Sequence, residues 1–310
     1  MPLEPPSFGH ASLESTALAL SGFELQVDRF RGGDRAHVLL LHGLGGNAVT
    51  WHGVAPLLAA ELEAQVLTLD LPGFGRSRTS GRRVDFRTLA LVVRRVLQSE
   101  APSGTRWVLA GNSLGGALAL DVACRAPELV AAVSLTALAL PLAWGRNLRG
   151  LAALSSWLPA ALPWIGRRLI SRYMIKTGLP GVVDEPIQAL FGDPRRLDAG
   201  LRERLLDVSQ YRLSWAREAA CAYEQVTRSL GVELLRASGV ERSVREVRCP
   251  VQALHGSRDP IFPAAAWLEL EQRRPDWQHV TLPDIGHVPQ LEAPREVAAH
   301  LLDWLRALAA

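Results

Sequence analysis

The sequence predicts an α/β protein in which a mostly parallel central sheet is flanked by helices and carries an inserted helical cap. Three observations predict this class. Short apolar runs alternate with longer amphipathic stretches over much of the 310 residues, which is typical of parallel strands joined by helices. A Gly-x-Ser-x-Gly motif stands between one apolar run and the next helix. The alternation then stops over residues 141–235, where one helical pattern follows another.

The first predicted elements are two paired strands within residues 16–30, with Ser21-Gly22 at the turn between them. Each later strand is a short apolar run, as expected for parallel strands buried on both faces. The longer stretches between them have helical periodicity. The predicted strands cover residues 37–41, 65–70, 107–111, 130–136, 250–255 and 277–282, and the predicted helices cover about residues 52–62, 85–99, 114–126, 263–273 and 294–308.

Residues 141–235 are predicted to form the helical cap, which leaves residues 1–140 and 236–310 for the core. Prolines at 159, 163, 180, 186 and 194 separate the helical segments of this insertion. The predicted cap helices run from Arg146 to Leu158, from Leu162 to Lys176, from Asp198 to Gln210 and from Ser214 to Leu230.

Ser113 is the candidate nucleophile. It lies in Gly111-Asn112-Ser113-Leu114-Gly115, after an apolar run and before a helix rich in small residues. A serine on such a strained strand-to-helix turn projects its hydroxyl above the carboxyl ends of the strands. Only glycine is expected to fit at positions 111 and 115, because a Cβ there would collide with a neighbouring strand or helix.

His287 is the candidate general base. It follows a predicted strand in a Gly/Pro-rich loop, and loops at strand ends carry catalytic groups on a rigid scaffold. Other histidines have structural interpretations. His42 is an alternative base, but we expect it to shape its own glycine-rich loop, and His52 is expected on a helix surface.

Asp259 is the candidate acid that orients the base. It follows the apolar run 251–254, whereas the strand after the motif helix, 130–136, is followed by no carboxylate. Asp284 is the competing acid, but it stands only three residues before His287. That separation is too short for Asp284 to orient His287 from an independent segment of the chain.

Two backbone amides are predicted to stabilise an oxyanion. The N–H of Leu114 begins the helix after Ser113, where the helix dipole adds positive potential. The N–H of Leu44 belongs to a glycine-rich loop after the strand 38–41, in which backbone can approach a substrate closely.

These motifs resemble the serine-nucleophile branch of the α/β-hydrolase superfamily, with a helical cap. The resemblance covers about residues 20–140 and 245–310, and the order Ser113, Asp259, His287 is that of the superfamily. The Asp259-Pro260 and Gly286-His287 segments match, and so do the motifs His42-Gly43-Leu44-Gly45-Gly46, Asp70-Leu71-Pro72-Gly73-Phe74-Gly75-Arg76-Ser77 and Gly111-Asn112-Ser113-Leu114-Gly115-Gly116. In this pattern Asp70 is expected to shape a turn.

The resemblance implies the α/β-hydrolase fold, a Ser-His-Asp triad and hydrolysis of an acyl compound. The main hypothesis is hydrolysis of an apolar carboxylic ester through an acyl-enzyme, with no metal or organic cofactor. Haloalkane dehalogenases and epoxide hydrolases of this superfamily use an aspartate at the position of Ser113, so their chemistry is disfavoured here.

Two alternatives stay open. Enzymes that hydrolyse a carbon–carbon bond in dienoic diketo acids resemble this chain in their Gly-Asn-Ser motif, and Arg172 or Arg217 are the candidate partners of the substrate carboxylates. However, Val288-Pro289-Gln290 lacks the aromatic residue that those enzymes often place after the histidine. The other alternative is a ligand-binding protein without turnover, against which the intact set of candidate residues argues.

The front of the predicted cap is unusually apolar. Trp144, Trp157 and Trp164 are candidate substrate-pocket residues, which would select an apolar substrate. The alternative is that they only pack the cap onto the core. The arginines of this stretch are candidates for contact with lipid headgroups or a substrate carboxylate, although a solvated face is the commoner explanation. They are Arg146, Arg149, Arg167, Arg168 and Arg172.

Composition narrows the partners. The formal net charge is only +3, so nothing favours nucleic-acid binding. Two uncharged stretches, residues 129–145 and 150–166, have lengths at or below the lower limit of the ~17–25 residues that a membrane-spanning helix needs. The expected partner is a small apolar ester, with peripheral membrane contact through the cap left open and the oligomeric state unassigned.

The 3 cysteines have no disulfide spacing, and no signal peptide is recognisable, so a cytoplasmic location is expected.

Overall fold

The computed structural model describes residues 12–141, 163–236 and 238–309. Its centre is an 8-stranded sheet in the order β1-β2-β4-β3-β5-β6-β7-β8. The strands β1 and β2 are antiparallel to their neighbours, and the strands from β3 to β8 are all parallel. The strands are β1 (Ser12–Leu20), β2 (Phe23–Arg31), β3 (Ala36–Leu41), β4 (Ala64–Leu69), β5 (Trp107–Asn112), β6 (Val130–Thr136), β7 (Val251–Gly256) and β8 (Gln278–Leu282).

Helices cover both faces of this sheet, and three of the described helices form the insertion between β6 and β7. The core helices are α1 (Ala55–Glu61), α2 (Phe86–Ser99), α3 (Leu114–Arg125), α7 (Val240–Glu246), α8 (Ala264–Arg273), α9 (Pro289–Glu292) and α10 (Pro294–Ala309). The helices of the insertion are α4 (Pro163–Leu190), α5 (Ala199–Leu213) and α6 (Ala216–Leu235). The predicted fold class and the alternation of strands and helices are therefore confirmed.

The stretch predicted as one helix over residues 52–62 is different in the structure. A 3-10 helix, Ala48–Trp51, comes first, and its N-terminus is capped by the Asn47 side chain. The helix α1 begins only at Ala55, with a proline in its first turn, where the missing N–H costs nothing. The expectation that His52 lies on a helix surface is wrong. Its side chain is buried, and its Nε2 atom lies 2.9 Å from Asp28 Oδ2.

The insertion departs from its prediction in its first described helix. The helical range of α4 is broken at Gly178, where φ is +63°, close to the predicted end at Lys176, and a further helical segment that was not predicted follows to Leu190. The proline at position 180 stands in the first turn after this break, a position that tolerates proline. The predicted helix from Arg146 to Leu158 lies outside the described residues. The division into a core and a cap stays a prediction.

The helix α6 is bound to the core along one face. Glu218, Gln225 and Ser229 lie on it at spacings of seven and four residues, about two turns and one turn of helix. Their side chains accept hydrogen bonds from backbone N–H groups of the segment that leads into α2. These bonds fasten α6 to the chain segment that leads into α2. The donors are Thr79, Ser80, Val84 and Phe86.

The hydrophobic core has one large cluster on each face of the sheet. Trp107, on the central strand β5, is fully buried in one cluster, and Trp51 is fully buried in the other. The helices among the described residues include none that is long and apolar enough to span a bilayer.

Candidate active site

The carboxyl ends of four parallel strands bring the candidate residues to one edge of the sheet. Leu44 follows β3, Ser113 follows β5, Asp259 follows β7 and His287 follows β8. In an open parallel sheet this edge is where ligands bind. The candidate nucleophile, acid and base, far apart in sequence, thus lie on neighbouring loops above the same strands.

Ser113 has the strained backbone expected of a nucleophile elbow. Its φ is +52° and its ψ is −110°, between the end of β5 and the start of α3. Such a conformation costs a non-glycine residue about 1–3 kcal/mol, so the surrounding structure must hold it. Two hydrogen bonds contribute: Ser113 N–H donates to the Thr136 carbonyl at 3.0 Å, and Ala117 N–H donates to the Ser113 carbonyl at 3.1 Å.

The two glycines of the elbow are required by close backbone contacts, as predicted. A Cβ on Gly111 would lie 2.3 Å from the carbonyl carbon of Gly115, and a Cβ on Gly115 would lie 2.3 Å from the carbonyl oxygen of Leu41. Both distances are far inside van der Waals contact. The strand β5, the helix α3 and the strand β3 therefore approach so closely at this turn that any side chain would force them apart.

His287 and Asp259 form a buried pair. The Nδ1 atom of His287 lies 2.8 Å from Asp259 Oδ2, and the other carboxylate oxygen accepts hydrogen bonds from the N–H groups of Ile261 at 2.7 Å and Phe262 at 3.1 Å. The Asp259 side chain is fully buried. Because the carboxylate faces Nδ1, that nitrogen carries the ring proton, and Nε2 has the free lone pair that a general base needs.

Asp259 stays ionised in spite of its burial. Burial alone raises the pKa of this carboxyl, but the charge and hydrogen bond of His287 and the hydrogen bond from the Phe262 amide hold the pKa below its ordinary value. His255 stacks on Trp267 with ring centroids 4.4 Å apart, and its Nδ1 atom is 3.8 Å from Asp259 Oδ2. Burial lowers the pKa of His255 to about 4, so it is neutral near pH 7.

The competing acid, Asp284, points elsewhere. Its carboxylate forms an exposed ion pair with Arg258 at 2.5 Å, and more than half of each of these two side chains is accessible to solvent. The geometry therefore favours Asp259 as the partner of His287.

The candidate oxyanion donors lie on both sides of Ser113. A Cβ on Gly43 would be 3.4 Å from the Cβ atom of Ser113, so the loop that carries Leu44 runs directly beside the elbow. Leu114 is the first residue of α3, where helix N–H groups have no partner in the helix. Among the described residues, none accepts a hydrogen bond from the N–H of Leu44 or Leu114.

His42 shapes its loop, as predicted, instead of acting as a base. Leu71 N–H donates to its Nε2 atom at 3.1 Å, so the ring proton is on Nδ1, which donates to the Gly43 carbonyl at 2.7 Å. Burial lowers the pKa of His42 to about 4, so both nitrogens of a neutral ring are engaged. Asp70 is also structural, because its carboxylate accepts hydrogen bonds from the Ala48 and Arg76 amides, both at 2.7 Å.

A buried arginine of the insertion holds the same loop. Arg212, on α5, donates from Nη1 to the Gly45 carbonyl at 3.2 Å, and its guanidinium lies 5.3 Å from the centroid of the Phe74 ring. Burial lowers the pKa of Arg212 to about 10, so it remains charged at neutral pH. Sequence analysis did not single out this contact, which joins the insertion to the loop of Leu44.

Asn112 connects the elbow to the histidine loop. Its Nδ2 group donates to the carbonyl of His287 at 3.0 Å and to that of Thr136 at 3.1 Å. The residue was visible in the Gly-Asn-Ser motif, but nothing in the sequence indicates that its partner lies 175 residues away. This amide ties the backbone of His287 to the residue that precedes Ser113.

Glu292 is a second positioning residue that sequence analysis missed. Its buried carboxylate accepts three backbone hydrogen bonds, from Gly286 at 2.8 Å, Asp193 at 2.9 Å and Gly192 at 3.1 Å. The first donor precedes His287, and the other two follow α4. In addition, His287 N–H donates to the Leu190 carbonyl at 2.7 Å. Glu292 therefore fastens the end of α4 to the histidine loop.

Replacing Glu292 with alanine is expected to lower both stability and activity. One buried and two partly buried N–H groups would lose their acceptor, at about 1–3 kcal/mol each, and the loop of His287 would lose one of its supports. The free energy of unfolding from urea titrations should fall by roughly 3 kcal/mol or more. Glu271→Ala, which removes an exposed carboxylate on α8, is the matched control. Equal stability of the two variants would contradict the positioning role.

The predicted pocket tryptophans are not placed by the described part of the chain. Trp144 and Trp157 lie outside the described residues, and Trp164 belongs to α4 without a described side chain. Their role stays a prediction. No group of three His, Cys, Asp or Glu side chains in the described ranges is arranged to hold a metal ion.

Comparison with known proteins identifies the family to which the chain belongs. The sequence pattern of the alpha/beta hydrolase fold family matches residues 36–294. The chain is 30% identical over 279 residues to the pimeloyl-[acyl-carrier protein] methyl ester esterase of Aromatoleum aromaticum, covering 88% of this chain and 99% of that protein. It is also 30% identical over 271 residues to the dihydrolipoyllysine-residue acetyltransferase component of the acetoin cleaving system of Pseudomonas putida, covering 87% of this chain but only 63% of that protein.

A solved structure shows the same fold at lower identity. A putative epoxide hydrolase from Pseudomonas aeruginosa superposes with a TM-score of 0.77 at 22% identity, and the alignment covers 96% of each chain. This likeness concerns the fold alone. With the family pattern matched over most of its length, the chain belongs to the α/β-hydrolase family.

Proposed function

We propose that this protein is a carboxylic-ester hydrolase in which Ser113 is the nucleophile, His287 the general base and Asp259 the orienting acid. The observation that carries the proposal is the buried His287–Asp259 pair, at 2.8 Å, which Asn112 ties to the strained elbow of Ser113. The esterase relative, which spans the same length, supports an ester as the substrate.

The proposed reaction has two halves. His287 Nε2 takes the Ser113 hydroxyl proton while Ser113 Oγ attacks the ester carbonyl, and the amides of Leu44 and Leu114 hold the oxyanion. The protonated His287 then gives its proton to the leaving alcohol, and an acyl-enzyme remains. Water, deprotonated by His287, attacks the acyl carbonyl and releases the acid from Ser113.

Asp259 supports each step without changing its own protonation state. Its charge stabilises the imidazolium that forms on His287 in both halves, and its hydrogen bond holds the ring in the tautomer that leaves Nε2 free. The lowered pKa of the Asp259 carboxyl keeps it ionised at neutral pH.

The substrate is proposed to have an apolar acyl part, selected by the tryptophans of the cap. Burial of one further methylene is worth about 0.8 kcal/mol, so kcat/KM on p-nitrophenyl esters should rise from acetate to at least butyrate or hexanoate. Replacing Trp144, Trp157 or Trp164 with alanine should alter this profile in at least one variant. An unchanged profile in all three, with reduced thermal stability, would show that these residues only pack the cap.

Assaying a dienoic diketo acid alongside the p-nitrophenyl esters decides between ester and carbon–carbon bond hydrolysis. A dienoic diketo acid carries carboxylates that need cationic partners inside the pocket, but Arg172 and Arg217 are both exposed. We therefore expect turnover of esters and none of the diketo acid. A burst of p-nitrophenol equal to the enzyme concentration would distinguish a catalyst from a ligand-binding protein that keeps the fold.

The proposal extends to a cytoplasmic location. Cys124, Cys221 and Cys249 are all free thiols in the structure, as expected in a reducing compartment. Burial raises the pKa of Cys124 and of Cys249 to about 11, so these two thiols are protonated and unreactive at neutral pH.

A further inference from the structure

The first half of α4 presents an exposed face that mixes apolar and cationic side chains. Six residues between positions 165 and 176 lie on it, and each of them is exposed. We call this set the basic–apolar stripe. Its members are Ile165, Arg168, Leu169, Arg172, Ile175 and Lys176.

The stripe faces away from the protein. At 100° per residue its six members fall within about one third of the helix circumference. Ile170 and Met174 lie on the opposite side, in one cluster with Ala219 of α6 and with Trp215, which precedes α6. The inner face is therefore already occupied, and the stripe is the face left to solvent.

The charged residues of the segment that carries the stripe are all basic, and the nearest acid from the second half of α4, Glu185, accepts a hydrogen bond from the neighbouring Tyr173. Residues 163–177 contain four basic residues and no aspartate or glutamate. Arg167, outside the stripe, pairs with Glu224 at 3.5 Å. By contrast, none of the described side chains forms an ion pair with Arg168, Arg172 or Lys176. The cations of the stripe are thus available to an external anion.

Exposed apolar side chains are concentrated at the same place. Ile165, Leu169 and Ile175 are 39%, 48% and 64% exposed. The other large exposed apolar side chains of the described residues, apart from the neighbouring Tyr173, are scattered on different helices. They are Leu91, Tyr211, Leu235, Leu268 and Leu308. Scattered single residues are ordinary on a protein surface, whereas a cluster marks an interaction site.

We propose that the basic–apolar stripe docks this protein on an anionic phospholipid surface. A helix that lies in a membrane interface inserts apolar side chains between the lipids, while Lys and Arg extend to the headgroup phosphates. A second copy of the chain is a poor occupant, because two stripes face to face would bring six cations together. The docking itself does not depend on the proposed ester hydrolysis.

The test is co-sedimentation of the full chain with lipid vesicles. Binding is expected to vesicles of phosphatidylcholine mixed with phosphatidylglycerol, to weaken in high salt and to be much lower on pure phosphatidylcholine. The double variant Arg168→Glu/Arg172→Glu should reduce the association constant for these vesicles by at least roughly tenfold. Leu169→Ser/Ile175→Ser should also reduce it, although that variant leaves the charge unchanged.

The matched control reverses two charges elsewhere. Arg94→Glu/Arg95→Glu changes the same number of exposed arginines on α2 and should bind anionic vesicles as the unmodified protein does. Equal loss in this control, or full binding by the stripe variants, would overturn the proposal. So would a dimer in solution that the Leu169→Ser/Ile175→Ser variant abolishes, because the stripe would then belong to a second copy.

Turnover of a water-soluble ester without vesicles separates the proposed docking from the proposed ester hydrolysis. The stripe variants should keep the kcat and far-ultraviolet circular dichroism of the unmodified protein. Lost vesicle binding with normal turnover supports docking by the stripe. Normal vesicle binding with no ester turnover in the unmodified protein would contradict the proposed hydrolase function and leave the docking surface intact.

Discussion

Replacement of Ser113 with alanine should lower kcat by about 10⁴–10⁶-fold, as expected when a triad loses its nucleophile. The fold should survive, because Ser113 N–H and its carbonyl make the hydrogen bonds that hold the turn, and alanine keeps both backbone groups. The measurement is steady-state hydrolysis of a p-nitrophenyl ester, with thermal unfolding recorded in parallel.

A covalent probe gives this prediction a second readout. A fluorophosphonate should label the unmodified protein at Ser113, as located by mass spectrometry of the peptides, and should not label the Ser113→Ala variant. Ser12→Ala, at an exposed position of the edge strand β1, is the control that should keep both label and activity. Label on another serine, or normal turnover by Ser113→Ala, would show that the nucleophile has been misassigned.

Replacement of Asp259 with asparagine should lower kcat by roughly 10⁴-fold with the fold retained. The amide can keep the acceptor role toward Ile261 and Phe262, but its NH₂ group would then face His287 Nδ1. That arrangement favours the tautomer with the proton on Nε2, which removes the base. It also removes the charge that stabilises the imidazolium.

Asp284→Asn is the matched control, because Asp284 is the other acid of the histidine region and is tied to Arg258 at the surface. It should lose little activity, since an exposed ion pair contributes only about 0–1 kcal/mol. A larger loss in Asp284→Asn than in Asp259→Asn would identify Asp284 as the orienting acid instead.

Much of the fold was predictable because its signals are local. Apolar runs identified the six parallel strands to within about one residue, since a strand buried on both faces needs apolar side chains throughout. The Gly111 and Gly115 requirement was also predictable, because a strand that turns directly into a helix crowds its own backbone. The helix after Gly178 was missed because Pro180 and Pro186 were interpreted as breaks, although the first of them only begins a new helix.

The candidate site was predictable in its principal residues and not in their supports. Ser113, Asp259 and His287 each follow a strand, so position in the chain is enough to nominate them. The support from Glu292 depends on Gly192, 100 residues away in sequence, meeting the histidine loop. No periodicity or motif reports a hydrogen bond of that separation, because it exists only once both segments have packed.

Sequence alone determined the order of the strands and helices, the elbow and the nomination of Ser113, because backbone sterics and burial act on neighbouring residues. Sequence also favoured Asp259 over Asp284 as the acid, but only the tertiary structure places the Asp259 carboxylate against His287 and that of Asp284 against Arg258 at the surface. The tertiary structure also decided that His52 is buried against Asp28 and that Arg168 faces solvent. A polar side chain's surroundings are set by distant segments of the chain, and those meet only in the folded molecule.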